Sequence, residues 1–162
     1  MNFEIIQSIT AAVDAVDAAL IDPAFLIRMA ELPKLGSAEV LDQRRDGDVV
    51  HQDVRFLFKA DLSRAVTRVV DPDRLTWIER SVCNLTTHET QCEILPDHYS
   101  GLLTGSYHSA IEAVGPSAQR TLTGEVNVKM PFVGGKIASA IVGGLRENAE
   151  AQVQLLETWI AT

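Results

Sequence analysis

The chain has 162 residues, enough for one domain that buries roughly 70% of the surface its unfolded form exposes. Hydrophobic residues make up 46% and charged residues 22%, ordinary globular values that exclude a disordered chain and a fibrous repeat. The formal charge of -8 has the wrong sign for holding a nucleic-acid backbone or an anionic membrane surface. We therefore expect a single domain over residues 1–162 that does not bind nucleic acid.

The first part of the chain predicts one strand and two short helices. Residues 2–8 alternate in character, with Gln7 sharing the otherwise apolar face of the strand. Thr10 is a suitable cap for a helix that runs to about Leu20, and Asp22-Pro23 opens a second helix that Pro33 stops.

The middle of the chain predicts a sheet. The turn dipeptide Asp46-Gly47 separates two strand-like runs, residues 37–45 and 49–59. Residues 61–70 fit either a helix or a strand, and we favour a short helix. Four further strands are predicted by alternation and by the turns between them, at residues 75–83, 87–95, 101–113 and 118–130.

The last part of the chain predicts one long helix after Pro131, because apolar residues recur at helical spacing almost to the end. Strands that are apolar on one face only must cover that face, and this helix is the only large element left to do so. We therefore expect the sheet to curl around the terminal helix.

A strand, two short helices, about six meandering strands and a long terminal helix is an order that few folds have. It resembles the START-like superfamily, also called the helix-grip or polyketide cyclase and lipid-transport superfamily. The segments 124–131, 133–137 and 74–77 also resemble an uncharacterised bacterial family within it. The implied fold is α+β: a curved antiparallel sheet of about seven strands around the C-terminal helix, with two short helices after the first strand.

The resemblance implies a cavity between the sheet and the terminal helix that takes a hydrophobic small molecule or lipid. Periodicity alone favours a filled core, because the same apolar side chains pack equally well on each other. If the cavity exists, the candidate ligand-binding residues are Val54, Phe56, Phe58, Trp77, Thr90, Cys92, Leu103, Tyr107, Val126, Val128, Met130, Ile137, Ile141 and Leu145.

Three polar residues are candidates for catalysis, although no catalytic motif transfers from the superfamily. A loop over residues 84–87 places Cys83 opposite His88 and Cys92 opposite Glu79. If that face points inward, Glu79, His88 and Tyr107 are able to orient a ligand or act as acid and base. A loop one residue different in length turns Glu79 outward instead.

The same register separates Cys92 from Cys83 and His88 too far for a metal site or a disulfide, so we predict no metal and no cofactor. With two cysteines and no basic leader at Met1-Asn2-Phe3-Glu4, we expect reduced thiols and a cytoplasmic protein. No apolar stretch is long enough for an integral membrane segment.

Gly143 and Gly144 lie in the middle of the terminal helix, where each costs about 1 kcal/mol relative to alanine. Their absent side chains either make room for a ligand or a kink, or allow close packing against a bulky sheet residue such as Trp77. The sequence does not choose between these two roles.

Three functions remain open. The leading hypothesis is a binder of a hydrophobic small molecule or lipid that performs no covalent chemistry. The second is a cyclase-like or dehydratase-like enzyme that uses Glu79, His88 and Tyr107. The third is a protein-interaction module with a filled core. The volume of the interior cavity and the titratable groups inside it distinguish these hypotheses.

Overall fold

The computed structural model describes residues 1–162. Seven strands form one antiparallel sheet in the order β1-β7-β6-β5-β4-β3-β2. The strands are β1 (Asn2–Ile9), β2 (Leu35–Asp46), β3 (Val49–Phe58), β4 (Thr76–Asn84), β5 (Glu89–Pro96), β6 (Leu103–Val114) and β7 (Ser117–Val128). The helices are α1 (Val13–Leu20), α2 (Pro23–Arg28), α3 (Arg64–Thr67) and α4 (Gly134–Ala161).

The predicted α+β helix-grip fold is confirmed: α1 and α2 follow the first strand, and the long helix α4 packs on the sheet. The favoured short helix within residues 61–70 is present as α3. Asp22 caps α2 by accepting a hydrogen bond from the Ala24 amide, as predicted. Thr10 does not cap α1, because that helix starts later and the Thr10 amide instead donates to Glu157.

The turn between β4 and β5 corrects the predicted register. Asn84 belongs to the strand and pairs with Glu89, and its side chain accepts hydrogen bonds from the Thr86 and Thr87 amides. This local turn moves the loop one residue along the chain. Cys83 therefore faces Thr90, not His88, and Cys92 faces Ser81, not Glu79.

This register differs from the predicted one by two residues, so each side chain of β4 and β5 keeps its predicted face. The observed loop, residues 85–88, has four residues like the predicted one, so Glu79 points inward. His88 lies in the turn with a positive φ of 61°, outside the strand on which the sequence had placed it.

Two apolar clusters lie along α4. The larger cluster surrounds Phe58, Ile137 and Ile141, and the smaller one surrounds Phe25 and Leu156 near the end of the helix. Neither cluster fills the space beside the middle turns of α4, which is where the site lies. None of the helices is long and apolar enough to span a membrane.

Candidate functional site

An interior cavity lies between the middle of α4 and the concave face of the sheet. It has two adjoining lobes of about 80 and about 60 Å³. Six residues line both lobes, which makes them the junction: Met29, Phe56, Glu79, Tyr107, Arg120 and Gln152. The interior of the protein is therefore not a completely filled core.

The two lobes differ in character. The larger lobe is mainly apolar, and its remaining walls are Phe3, Ile5, Leu32, Leu35, Trp77, Leu122, Leu145, Asn148 and Ala149. The smaller lobe is more polar, and its remaining walls are Asp17, Leu20, Ile21, Leu26, Gln52, Val54, Ser81, Cys83 and Thr90. A ligand that spans the junction meets apolar surface on one side and hydrogen-bonding groups on the other.

Glu79 and Tyr107 meet at the junction, where the hydroxyl of Tyr107 donates a hydrogen bond of 3.1 Å to the Glu79 carboxyl. Burial raises the pKa of Glu79, against smaller opposing effects of the Tyr107 hydrogen bond and the Arg120 charge. Burial also raises the pKa of Tyr107 well above its ordinary value. The tyrosine is therefore neutral, and the Glu79 carboxyl is a weaker acid than that of an exposed glutamate.

The indole nitrogen of Trp77 is buried without a hydrogen bond of ordinary geometry. It still lies close enough to Glu79 to oppose the rise in that carboxyl's pKa. The wall of the larger lobe thus contains one unsatisfied donor, the indole N–H of Trp77.

Arg120 brings a positive charge to the same junction from β7. Its side chain is buried, and its Nη1 donates hydrogen bonds to the amide oxygens of Gln7 (3.1 Å) and Gln152 (3.2 Å). Gln7 is held in turn by its own donation to the Ala149 carbonyl and to Gln152. This network ties β1, β7 and α4 together beneath the cavity.

Asp17 lines the smaller lobe and is held by His88, which lies outside the lobe. Nδ1 of His88 is hydrogen-bonded to the Asp17 carboxyl, which joins α1 to the turn between β4 and β5. Burial raises the pKa of Asp17, and the hydrogen bond and charge of His88 oppose that rise. Asp14 lies nearby, so these three side chains form the one group whose ligand atoms are close enough to surround a cation.

The two cysteines lie on the inner face and are free. Burial raises the pKa of both thiols, so neither is a reactive thiolate at neutral pH. Cys83 lines the smaller lobe, whereas Cys92 lies outside both lobes.

Of the fourteen candidate ligand-binding residues, some line the cavity and others do not. Six line the cavity: Val54, Phe56, Trp77, Thr90, Tyr107 and Leu145. The other eight do not line it and pack elsewhere in the interior: Phe58, Cys92, Leu103, Val126, Val128, Met130, Ile137 and Ile141. Of the catalytic candidates, Glu79 and Tyr107 come together at the junction, and His88 lies away from them against Asp17.

The sequence analysis missed Arg120 and Gln152. A signal for Arg120 existed: it lies two residues before Leu122, so strand alternation places it on the inner face of β7 with Val126. Gln152 lies on the side of α4 that also carries Ala149 and Leu156. A polar residue inside an apolar stripe was thus visible in both elements.

The comparisons with known proteins agree with this architecture. A family model described as "Protein of unknown function (DUF2505)" matches residues 4–160. The chain belongs to the DUF2505 family. A search of curated protein sequences found no relative of this DUF2505 protein.

Solved structures show that this DUF2505 protein shares its fold with START-like proteins. The protein TTHA0849 from Thermus thermophilus superposes with a TM-score of 0.70 at 16% identity, covering 99% of this chain and 97% of that chain. The Zhui aromatase/cyclase from a Streptomyces species superposes with a TM-score of 0.69 at 13% identity, covering 99% and 93%. A START superfamily protein from Mycobacterium smegmatis has a TM-score of 0.59 at 12% identity, covering 99% and 97%.

Proposed function

We propose that this protein binds a small, largely apolar molecule in the cavity between its sheet and α4. The observation that carries the proposal is the cavity itself, whose larger lobe is walled by aromatic and aliphatic side chains and ends in convergent polar groups. Ligand sites in proteins commonly combine an apolar body with a few polar groups that fix orientation. The fold is shared with an aromatase/cyclase and a START superfamily protein, which further supports a ligand in this space.

The cavity volume sets the size of the ligand. Its lobes of about 80 and about 60 Å³ are together well below the roughly 300 Å³ at which pockets for drug-sized ligands begin. We therefore favour a compact molecule, such as one aromatic ring with a short chain, over a lipid with long acyl chains. A larger ligand would require Leu145 and Met29, which are only partly buried, to move aside.

Tryptophan fluorescence tests the proposal, because Trp77 is part of the cavity wall. Trp159 packs edge-on against Phe25 in the other cluster, so Trp159→Phe leaves Trp77 as the sole tryptophan. Titration of this variant with 3-phenylpropan-1-ol should give a saturable change in emission. No saturable change with this alcohol or with the corresponding acid would show that the proposal is wrong.

A matched pair of substitutions on α4 localises the binding. Ala149 is buried in the cavity wall, so Ala149→Leu should fill the larger lobe and weaken binding of the probe at least tenfold. Ser139 is exposed on the same helix, and Ser139→Leu should leave binding unchanged. Equal loss in both variants would place the probe outside the cavity.

The paired groups Glu79 and Tyr107 favour a second candidate function, acid–base catalysis on the bound molecule. A carboxyl with a raised pKa is suited to donate a proton to the β-hydroxyl, which leaves as water when the C–O bond breaks. The resulting Glu79 carboxylate would then take the α-proton as the C=C bond forms, which restores the protonated carboxyl. Mass spectrometry of a bound β-hydroxyketone after incubation distinguishes the two functions. Loss of water that depends on Glu79 supports catalysis, and recovery of unchanged ligand supports binding alone.

A further inference from the structure

The interior contains a cation without a counter-ion. The Arg120 side chain is 6% exposed, and no carboxylate forms an ion pair with it. An arginine stays charged at every physiological pH, so this charge is not removed by loss of a proton. Burying an ion is unfavourable unless a partner of opposite charge compensates.

The hydrogen bonds of Arg120 leave half of its guanidinium without a protein partner. Both of its bonds start from Nη1 and end on neutral amide oxygens, those of Gln7 and Gln152. Nε is buried and has no acceptor. The Nε and Nη2 atoms form the edge of the fork that binds a carboxylate through two parallel hydrogen bonds, and neither has a protein acceptor. Nε is enclosed by protein atoms, so a carboxylate engages both atoms only when the side chain shifts towards the cavity.

The two acids nearest to the junction do not supply the missing charge. Asp17 is engaged by His88. Glu79 receives the hydrogen bond of Tyr107, and burial favours its neutral form. Burial disfavours the charged form of Glu79, which weakens its repulsion of a second carboxyl group at the junction.

We propose that the ligand of this cavity carries a carboxylate that pairs with Arg120, while its apolar body lies in the larger lobe. This inference rests on the proposed function, since it names the chemical class of the bound molecule. Arg120 lines both lobes, so an anionic group at the junction lies beside it while the rest of the molecule contacts the wall near Phe3 and Leu122. The Tyr107 hydroxyl is at the same junction, and its one proton would turn from the Glu79 carboxyl to the anion.

Three probes of one shape test the proposal in the Trp159→Phe background at neutral pH: 3-phenylpropanoate, 3-phenylpropanamide and 3-phenylpropan-1-ol. We expect the carboxylate to bind at least tenfold more tightly than the alcohol and the amide. An alcohol or amide that binds as tightly as the carboxylate overturns the inference but leaves the proposed function standing. Absence of binding by all three overturns both.

Arg120→Met removes the charge and keeps most of the side-chain length. We expect it to abolish the preference for the carboxylate while the alcohol still binds, a result that a purely structural role of Arg120 would not give. Arg120→Lys keeps a charge but not the fork, and should retain part of the preference. If circular dichroism shows that the methionine variant is unfolded, the lysine variant decides: an unchanged preference for the carboxylate contradicts recognition by the guanidinium fork.

Discussion

Two neighbouring stretches of α4 face the same sheet and have opposite properties. Residues 137–144 present Ile137, Ile141 and the bare backbone of Gly144 to a tightly packed cluster. Residues 145–152 present Leu145 and the side chains of Asn148 and Gln152 to a cavity. The helix is continuous, so the difference arises from side chains alone.

This contrast shows how the fold combines close packing with an unfilled interior. Close packing on either side of the cavity, around Phe58 and around Leu156, holds the wall in place. The buried Arg120 and the half-buried Glu79 are costly to folding, and both lie at the cavity, whose apolar wall is formed largely by members of the larger cluster. A local departure from good packing inside a well-packed fold is where functional sites are expected.

The largest expected difference between the two stretches is seen when one large side chain is truncated in each. Ile141→Ala removes a side chain that is 1% exposed, and should lower the free energy of unfolding by about 2–5 kcal/mol. Leu145→Ala borders space that is already empty, and should cost only about 1 kcal/mol. Urea denaturation followed by circular dichroism measures both.

Equal costs for these two variants would contradict the comparison, because they would mean that Leu145 is as closely packed as Ile141. Probe binding supplies a second readout. Leu145→Ala should alter the affinity for 3-phenylpropan-1-ol, whereas Ile141→Ala should not alter it in the fraction of protein that is folded.

Alanine substitutions at the adjacent Gly143 and Gly144 should change the free energy of unfolding less, and in opposite directions. A Cβ on Gly144 would lie 2.3 Å from Cζ of Phe58, whose ring is itself stacked on Trp77, whereas a Cβ on Gly143 would meet nothing within 4 Å. We expect Gly144→Ala to lower the free energy of unfolding by about 1–2 kcal/mol, because crowding exceeds the gain in helix propensity. Gly143→Ala should raise it by up to about 1 kcal/mol.

Thermal or urea denaturation of the two alanine variants separates the alternatives that the sequence left open. In the structure, Gly144 permits close packing against a bulky sheet residue. That residue is Phe58, whereas the sequence analysis gave Trp77 as an example. Stabilisation by Gly144→Ala would show instead that the ring of Phe58 has room to move.

The pH dependence of stability tests the cavity side of the comparison. Burial raises the pKa of Glu79 above its ordinary value of 4.5, so the folded protein holds this proton more tightly than the unfolded chain. Stability therefore falls as the pH rises from about 4.5 towards the pKa in the folded state. Glu79→Gln keeps the shape of the side chain but does not titrate, so its stability does not fall for this reason.

Within this window, we expect the free energy of unfolding of Glu79→Gln minus that of the wild type to increase by about 1 kcal/mol for each unit of rising pH. Urea denaturation at intervals between about pH 4 and pH 8 gives the two curves. Parallel curves would mean that Glu79 is as well solvated in the folded protein as in the unfolded chain.

The sequence was sufficient for the fold because strand alternation and helical spacing report which face of an element is buried. Alternation in β1 and β7 predicts the inner faces correctly, including that of Gln7. It does not report whether an inward side chain meets another side chain or empty space. Phe56 and Phe58 are both inward on β3, yet only Phe56 borders the cavity, since Phe58 meets Gly144.

His88 shows a second limit of sequence analysis. Its place depends on the side chain of Asn84, which organises the turn and extends β4 by one residue. Its contact with Asp17 joins parts of the chain that only the folded structure brings together. Alternation within a strand contains no information about such a contact.

The pairing of β1 with β7 has a consequence for how the protein is made. These strands pair along the whole length of β1, and every other strand lies between them in the sequence. Contacts so distant in sequence form late and slow folding, because a long loop must first be closed. Phe3 and Ile5 on β1 and Arg120 and Leu122 on β7 are walls of the cavity, so the cavity does not exist in a nascent chain on the ribosome until nearly all of that chain has emerged.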